Sequence, residues 1–397
     1  MARKMKDSGI EWIGEIPEGW ELTKVKRIFD IGRGRVISQQ ELTLVGYPVY
    51  SSQTKNNGCL GYISTYDFDK SQLTWTTDGV NAGTVFLREG RHNCTNVCGT
   101  LAPKNDTNDL RYLKYALEYI AFYHKRADIN GFKIMNNEMA EIELLLPPLF
   151  EQQNIANYLD FKCSQTQSIL EQSLFSIEEY KKLKQAVITQ AVATQQCSHI
   201  KLKYLMNVIV DCPHETPTYS FTGNYYVIRT ADQALASLRR DEDMYRLDAS
   251  EYKKRTRRLT LDKDDIVYGR EGERWGLACI VPESNKYCLG QRIMQFRCNT
   301  KFLYPKYAMY ALNSEPVYLQ GVADTIGSTS PHVNISTVCN YLLPVPALTE
   351  QKEIANYLDA KCAEIDKLIA KKEQLVKELE SYKKSLIYEV VTGKREV

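Results

Sequence analysis

The sequence lacks an excess of either charge. Its 51 basic side chains stand against 49 acidic ones, a net of +2 over 397 residues. Taken alone, that balance argues against a polyanion as partner. It has no uninterrupted apolar run of about 18 residues, so no spanning helix is expected, and no membrane is expected among its partners. Its first residues, Met1-Ala2-Arg3-Lys4-Met5-Lys6-Asp7-Ser8, lead into Glu11, Trp12 and Glu15 with no apolar core, so no secretory signal is expected. Its 11 cysteines are an odd set without dense spacing. They read as reduced thiols of a cytoplasmic protein. What is present is ample material for packed cores, with 43% of residues apolar, which excludes wholesale disorder. The length suits two or three domains.

Catalytic signatures are also missing. Gly393-Lys394-Arg395 lacks the glycine spacing and the Ser/Thr of a phosphate-binding loop, and Gly32-Arg33-Gly34 lacks a third glycine. No HExxH, GxSxG or Asn/Asp-Pro-Pro-Tyr/Phe motif occurs. Pro147-Pro148 is followed by Leu149. The spacing of His92, Cys94 and Cys98 matches no zinc pattern, and Cys212-Pro213-His214 stands isolated, so no metal site is expected. Asp262, Asp264 and Asp265 precede a β-prone run and read as a polar turn. No catalytic residue is assigned.

The organising feature is an internal repeat. Residues 151–163 read EQQNIANYLDFKC and residues 350–362 read EQKEIANYLDAKC, 199 positions apart. Each follows an apolar, proline-containing run and leads into a long stretch free of Gly and Pro. These stretches predict two long helices, the first reaching at least Gln196 and the second Thr392. Ile365, Leu368, Leu375, Leu379, Tyr382 and Leu386 form one apolar stripe; Leu159, Leu170, Leu174, Ile177, Tyr180 and Val187 form the other. A seam of three- and four-residue steps asks for a partner helix. The segments between resemble each other weakly. Trp75-Thr76-Thr77-Asp78-Gly79 falls on Tyr268-Gly269-Arg270-Glu271-Gly272, and Gly83 on Gly276, both 193 positions apart. Short β-prone runs occur at Tyr47–Ser51, Leu73–Thr76, Tyr225–Arg229, Asp265–Tyr268 and Ile293–Arg297.

The expectation is an α+β chain in four parts: globular domain 1–150, helix 151–196, globular domain 197–349, helix 350–397. The two helices would pack as an antiparallel coiled coil with pseudo-two-fold symmetry. At roughly 1.5 Å per residue, the first helical stretch could hold the domains at most about 69 Å apart.

Chemistry then falls to polar and basic loops. In the first domain the candidates are Arg33, Arg35, Lys55, Asn57, Thr76, Thr77 and Lys133. In the second they are Arg229, Lys254, Arg257, Arg270, Arg274, Gln291, Arg292, Ser330 and His332. Arg bridges guanine O6 and N7, and Asn or Gln bridges adenine N6 and N7. Lys, Ser, Thr and backbone amides suit phosphates. The run Lys253–Arg258 supplies five basic residues in six, and segment 197–349 carries 19 basic against 16 acidic side chains.

At this point the chain resembles the specificity subunit of bacterial type I restriction–modification enzymes. The resemblance rests on Ser8-Gly9-Ile10-Glu11-Trp12-Ile13-Gly14-Glu15-Ile16-Pro17-Glu18-Gly19-Trp20, on the helix starts at 147–156 and 346–355, on Arg270-Glu271-Gly272 and Gly290-Gln291-Arg292, and on Glu389–Lys394. The first domain departs from the second, with Thr76-Thr77-Asp78-Gly79 for Gly269-Arg270-Glu271-Gly272 and no Gly-Gln-Arg triplet. The resemblance implies two target recognition domains, each reading half of a bipartite double-stranded DNA site. It implies helices that set the half-site spacing and dock two methyltransferase subunits, with two restriction (motor-nuclease) subunits beyond them. It implies no catalysis and no cofactor on this chain, S-adenosylmethionine, ATP and Mg belonging to the partners. The competing readings are a coiled-coil scaffold without DNA contact and a self-sufficient nuclease or methyltransferase.

Overall fold

The computed structural model describes residues 3–129, 131–193, 197–272, 274–325 and 331–397. Two helices of 44 residues dominate it, a central helix Leu149–Val192 and a C-terminal helix Leu348–Val391. Among the described residues no helix is long and apolar enough to cross a membrane.

The compact units do not follow chain order. One comprises Met1–Ser173 with Leu375–Val397, the other Leu174–Gln374. Each contains a globular domain, half of the central helix and half of the C-terminal helix. In the first unit a four-stranded antiparallel sheet runs Phe29–Arg33, Cys98–Pro103, Gln72–Thr76, Val85–Arg88. In the second the same order is built from Met206–Asp211, Ile293–Cys298, Ile266–Gly269, Ala278–Ile280. A smaller sheet repeats too. Tyr47–Tyr50 lies between antiparallel Cys59–Ile63 and parallel Asn93–Cys94. Tyr225–Ile228 likewise lies between antiparallel Tyr245–Leu247 and parallel Tyr287–Leu289. The two domains thus share a topology as well as scattered residues, and all five β-prone runs form strands.

The repeated helix start has a structural cause. Strand Glu143–Leu146 pairs with Glu21–Lys24, and Leu342–Val345 pairs with Ser198–Lys201, which fixes where each chain leaves its domain. Buried Gln152 then donates to the Pro147 and Asn108 oxygens and accepts from the Asp109 amide, all at 2.9 Å. Asp109 caps helix Leu110–His124. Buried Gln351 repeats the clamp, donating to the Pro346 and Phe302 carbonyls and accepting from the amide of Tyr304, which precedes helix Pro305–Leu312. One glutamine therefore ties each long helix to its domain's own helix. Asp160 and Asp359 add a second tie, accepting from Tyr115 and Tyr310 at 2.8 Å.

The helices close each core. Ile155, Ala156, Leu159 and Cys163 pack with Leu386, Val390, Trp75, Leu101 and Tyr112 in the first unit. Ala355, Leu358 and Cys362 pack with Ile188, Val192, Tyr268, Phe296 and Tyr307 in the second. In both units the helix segments run antiparallel. Gln167 meets Lys383 while Tyr158 meets Arg395, and in the second unit Lys184 meets Asp366.

Two expectations need correction. The central helix ends at Val192, short of Gln196. Residues 194–196 lie outside the described part, and the strand Ser198–Lys201 that follows pairs with Leu342–Val345. The seam also departs from the proposed stripes: Leu174, Leu368 and Tyr382 are exposed, whereas Ser173, Thr166 and Lys184 are buried.

Candidate DNA interface

In the first unit the main sheet ends in the segment Arg33–Arg35, which lies on the turn at residues 94–98. A Cβ on Gly34 would stand 2.2 Å from the Cys94 carbonyl, so only glycine lets the two backbones meet. Exposed Arg33 donates through Nη2 to Thr77 Oγ1 at 3.2 Å, and Thr77 donates to the Val97 carbonyl at 3.0 Å. Arg35 is exposed but answered by Asp67 at 3.0 Å and Glu41 at 3.5 Å. Thr76 and Thr77 are buried, so they support the face rather than form it. Lys133 sits on strand Gly131–Lys133, beside Asp78–Gly79, and pairs with Asp128 at 2.8 Å. Its ammonium holds the Asp128 carboxyl below the usual carboxylate range. Lys55 and Asn57 lie exposed on a loop adjoining the smaller sheet. Hydrogen bonds Arg35 N to Cys94 O, Thr95 N to Tyr50 O and Ser51 N to Gly58 O connect this loop to Arg33–Arg35. The first-domain candidates therefore share one end of the domain.

In the second unit the corresponding strand end carries Asp211 where the first has Arg33. Arg270, only 7% exposed, reaches Asp211 at 3.3 Å and Glu271 at 2.6 Å. It is sealed beneath the surface and cannot reach a base edge. Arg292, with φ +70°, is exposed above it. Its backbone N–H donates to Cys212 Sγ at 3.1 Å, its carbonyl accepts from the Arg270 amide at 2.9 Å, and its guanidinium lies 3.9 Å from Glu271. Arg270 thus aims Glu271, and Glu271 steadies Arg292. Gln291 is half-buried beside it, and Gly290 bonds to the Ile228 carbonyl next to Arg229. Arg229 is held bidentately by Asp232 at 2.9 Å and lies 3.7 Å over the Tyr245 ring. Arg274 spends one donor on the Ala231 and Gln233 carbonyls. Half-buried His332 bridges to Glu271 through its backbone. Ser330 lies outside the described residues.

The basic run divides. Arg255 turns inward and donates to the Leu289, Glu215 and Pro213 carbonyls, which leaves Lys253, Lys254, Arg257 and Arg258 outside. Lys254 meets Glu215 at 3.0 Å. Asp211, Glu271, Asp232 and Arg255 were not singled out as partners in the sequence. The spacing of Arg229 and Asp232, three residues apart across a tight turn, was the one readable signal.

Asp211, Cys212 and His214 bring metal-capable atoms within 4.8 Å of one another. However, the Asp211 carboxylate already accepts from His214 at 3.0 Å and from the Arg270 guanidinium, which places positive charge where a cation would sit. The cluster orients side chains instead. His92 likewise spends both ring nitrogens, on Gln72 and Gly90.

Comparison with known proteins agrees with this double construction. A family model for the type I restriction modification DNA specificity domain matches residues 17–179 and again 212–378. A putative type I specificity subunit (N-terminus) of Mycoplasma pneumoniae is 45% identical over 141 residues, covering 34% of this chain and 74% of that protein. The specificity subunit of type I restriction enzyme MpnII from the same organism is 41% identical over 144 residues, covering 35% of this chain and 43% of that one. A chain solved in work on complex assembly and conformational transition of a type I restriction–modification system superposes with TM-score 0.69 at 13% identity, over 96% of this chain and 99% of that one. The chain belongs to the type I restriction modification DNA specificity family and carries its characteristic domain twice.

Proposed function

We propose that this chain is the DNA-reading subunit of a type I restriction–modification complex, each domain reading one half of a bipartite duplex site. One observation carries the reading. The same strand-end face is built twice on one topology but furnished with different side chains, Arg33 over Thr77 in one unit and Arg292 over Glu271 and Arg270 in the other. A shared frame with divergent contacts is what two readers of different half-sites require.

The long helices then act as the spacer and as the dock for two methyltransferase subunits, with two motor-nuclease subunits completing the restriction complex in the cytoplasm. Exposed Phe161, Phe175, Leu174 and Tyr357 on the helices support the docking role, since large exposed apolar side chains mark association surfaces. Catalysis belongs to those partners. S-adenosylmethionine, ATP and Mg are held there, and this chain binds and orients DNA.

The test is to map methylated adenines in the host genome with and without this chain. A bipartite motif that disappears on deletion is expected. Unchanged methylation would overturn the reading. The scaffold alternative is separated by gel shift with the mapped duplex: a complex of chain and methyltransferase that ignores sequence would favour it.

A further inference from the structure

Arg88 ends a strand of the first unit's main sheet and is fully buried. Removing a guanidinium from water is costly unless an opposite charge or a full set of acceptors replaces the water. Buried Lys184 has Asp366, buried Arg270 has Asp211 and Glu271, and buried Arg255 has three carbonyls. Arg88 has less. Its Nε donates to Thr74 Oγ1 at 3.1 Å and its Nη1 to the Asn57 carbonyl at 2.6 Å. Its plane is covered by Tyr50 at 3.6 Å and Phe86 at 4.3 Å. Nη2 has no partner, and among the described residues no carboxylate pairs with Arg88.

The unpartnered nitrogen points at the loop Thr54–Gly58. A Cβ on Gly58 would stand 2.8 Å from Nη2, so the glycine makes the room into which the guanidinium projects. The loop itself is held in an uncommon shape. Asn56 (φ 50°, ψ 40°) and Asn57 (φ 52°, ψ 33°) are both left-handed, and Gly58 follows at φ +78°. Asparagine tolerates this region better than most residues. The outcome is a tight exposed turn with Lys55 and two asparagine amides outside and an uncompensated positive charge one backbone layer beneath.

We propose that the loop Thr54–Gly58 seats a phosphate of the DNA backbone, with Arg88 as the positioning charge below it. This rests on the DNA-reading function proposed above. The sealed guanidinium cannot touch a base edge, so its influence is that of a charge felt through the loop, and the permanently charged part of DNA is the phosphate. Lys55 supplies the direct contact. Arg88 fixes Asn57 through its carbonyl, holds the turn open, and gains the counter-ion that the folded chain does not provide.

The experiment uses the full chain assembled with its methyltransferase subunits and the bipartite duplex found by methylation mapping. Single phosphates across the half-site of the first domain are replaced by neutral methylphosphonates. At one position the wild-type complex is expected to lose about tenfold in affinity, while Arg88→Met and Lys55→Met lose less than about twofold there, because the interaction is already gone. Base preference stays unchanged in both variants, and Arg88→Lys recovers sensitivity at the same phosphate. A purely structural role would not reproduce that single-position coupling. The proposal is overturned if every phosphate costs wild type and variants alike, or if Arg88→Met changes the bases preferred. Should Arg88→Met not fold, exposed Lys55→Met and charge-conserving Arg88→Lys carry the same comparison. A wild-type complex that prefers the mapped duplex to a scrambled one but shows no coupling sinks this inference alone. One with no preference sinks the reading function together with it.

Discussion

Arg270 and Arg292 look equivalent in the sequence, each an arginine within two residues of a glycine in a polar loop, yet the fold gives them opposite tasks. Arg292 is exposed and its guanidinium is held, among the described residues, only by a 3.9 Å ion pair to Glu271, so Arg292→Ala should relax specificity in one half-site by about 1–3 kcal/mol. Arg270 is buried between two carboxylates. Arg270→Ala should instead lower stability by about 3 kcal/mol, measured by denaturant unfolding, because Asp211 and Glu271 lose their shared counter-charge. Equal stability of the two variants would contradict this division. His92 gives a second residue-scale prediction. Its Nδ1 meets the Gly90 carbonyl at 2.7 Å, which leaves Nε2 to accept from Gln72 at 2.9 Å and requires a neutral ring. Burial, aided by Arg88, lowers its pKa below the ordinary value. A base whose folded pKa is lowered binds fewer protons folded than unfolded. Its stabilising share is therefore complete above about pH 6.5 and is lost as pH falls through the lowered folded pKa. His92→Gln should flatten the fall in melting temperature between about pH 7 and 5. A variant with the wild-type slope would show that other groups set it. Neither the burial of Arg270 nor the neutrality of His92 was legible in sequence, since both depend on neighbours far along the chain.

At the scale of elements, the repeat in the helix starts was legible because its letters have a fixed job. Gln152 and Gln351 each satisfy a domain-helix amide and the proline carbonyl preceding their own helix. Replacing either by Ala leaves a buried donor and acceptor unmet, at about 2–3 kcal/mol each. Thermal unfolding of Gln152→Ala and Gln351→Ala checks this, and losses under about 0.5 kcal/mol would place the clamp outside the fold's energetics. The seam was less legible. Choosing the most apolar residue at each step selected Leu174, which is 52% exposed, over its neighbour Ser173 at 1%. The helical period was the better guide, because the geometry of the seam decides burial before side-chain type does. The small hairpin Gln233–Ala234 with Ser237–Leu238 escaped notice for a different reason. Its turn places Ala236 at φ +56° without Gly or Asn, so the usual signal was absent. Its position is set instead by contacts such as Lys184 donating to the Leu235 carbonyl at 2.9 Å.

The near-neutral charge first spoke against DNA, and the whole molecule explains why it need not. Many cations are answered by the chain's own carboxylates, Arg35 by Asp67 and Glu41, Arg229 by Asp232, Lys254 by Glu215. The net charge of the whole chain therefore says little about the charge that any one face presents. The units also show where a specificity exchange must be cut. A swap of residues 1–150 appears natural from the chain order, but the first unit includes the end of the C-terminal helix. Trp20 donates to Glu151 at 2.9 Å, Gly393 lies against Pro17 and Trp20 so closely that a Cβ would stand 2.4 Å from Pro17, and the Tyr119 and Tyr388 rings meet tilted with centroids 5.3 Å apart. Replacing residues 1–20 with a relative's would disturb that closure along with the reader. Exchanging 21–146 keeps Trp20, Glu151 and the Gln152 bond to the Pro147 carbonyl and transfers the strand-end face intact, provided the incoming domain retains Asn108 and Asp109 as partners of Gln152. Methylation mapping of this chimera should show one half-site changed, the other retained and the gap between them unaltered. Inserting about four residues, close to one helical turn, between 170 and 190 should do the converse, changing the gap and keeping both half-sites. If the chimera alters both half-sites, reading is shared between the domains. If the insertion leaves the gap unchanged, something other than the helices measures it, and the spacer assignment falls while the assignment of the readers stands.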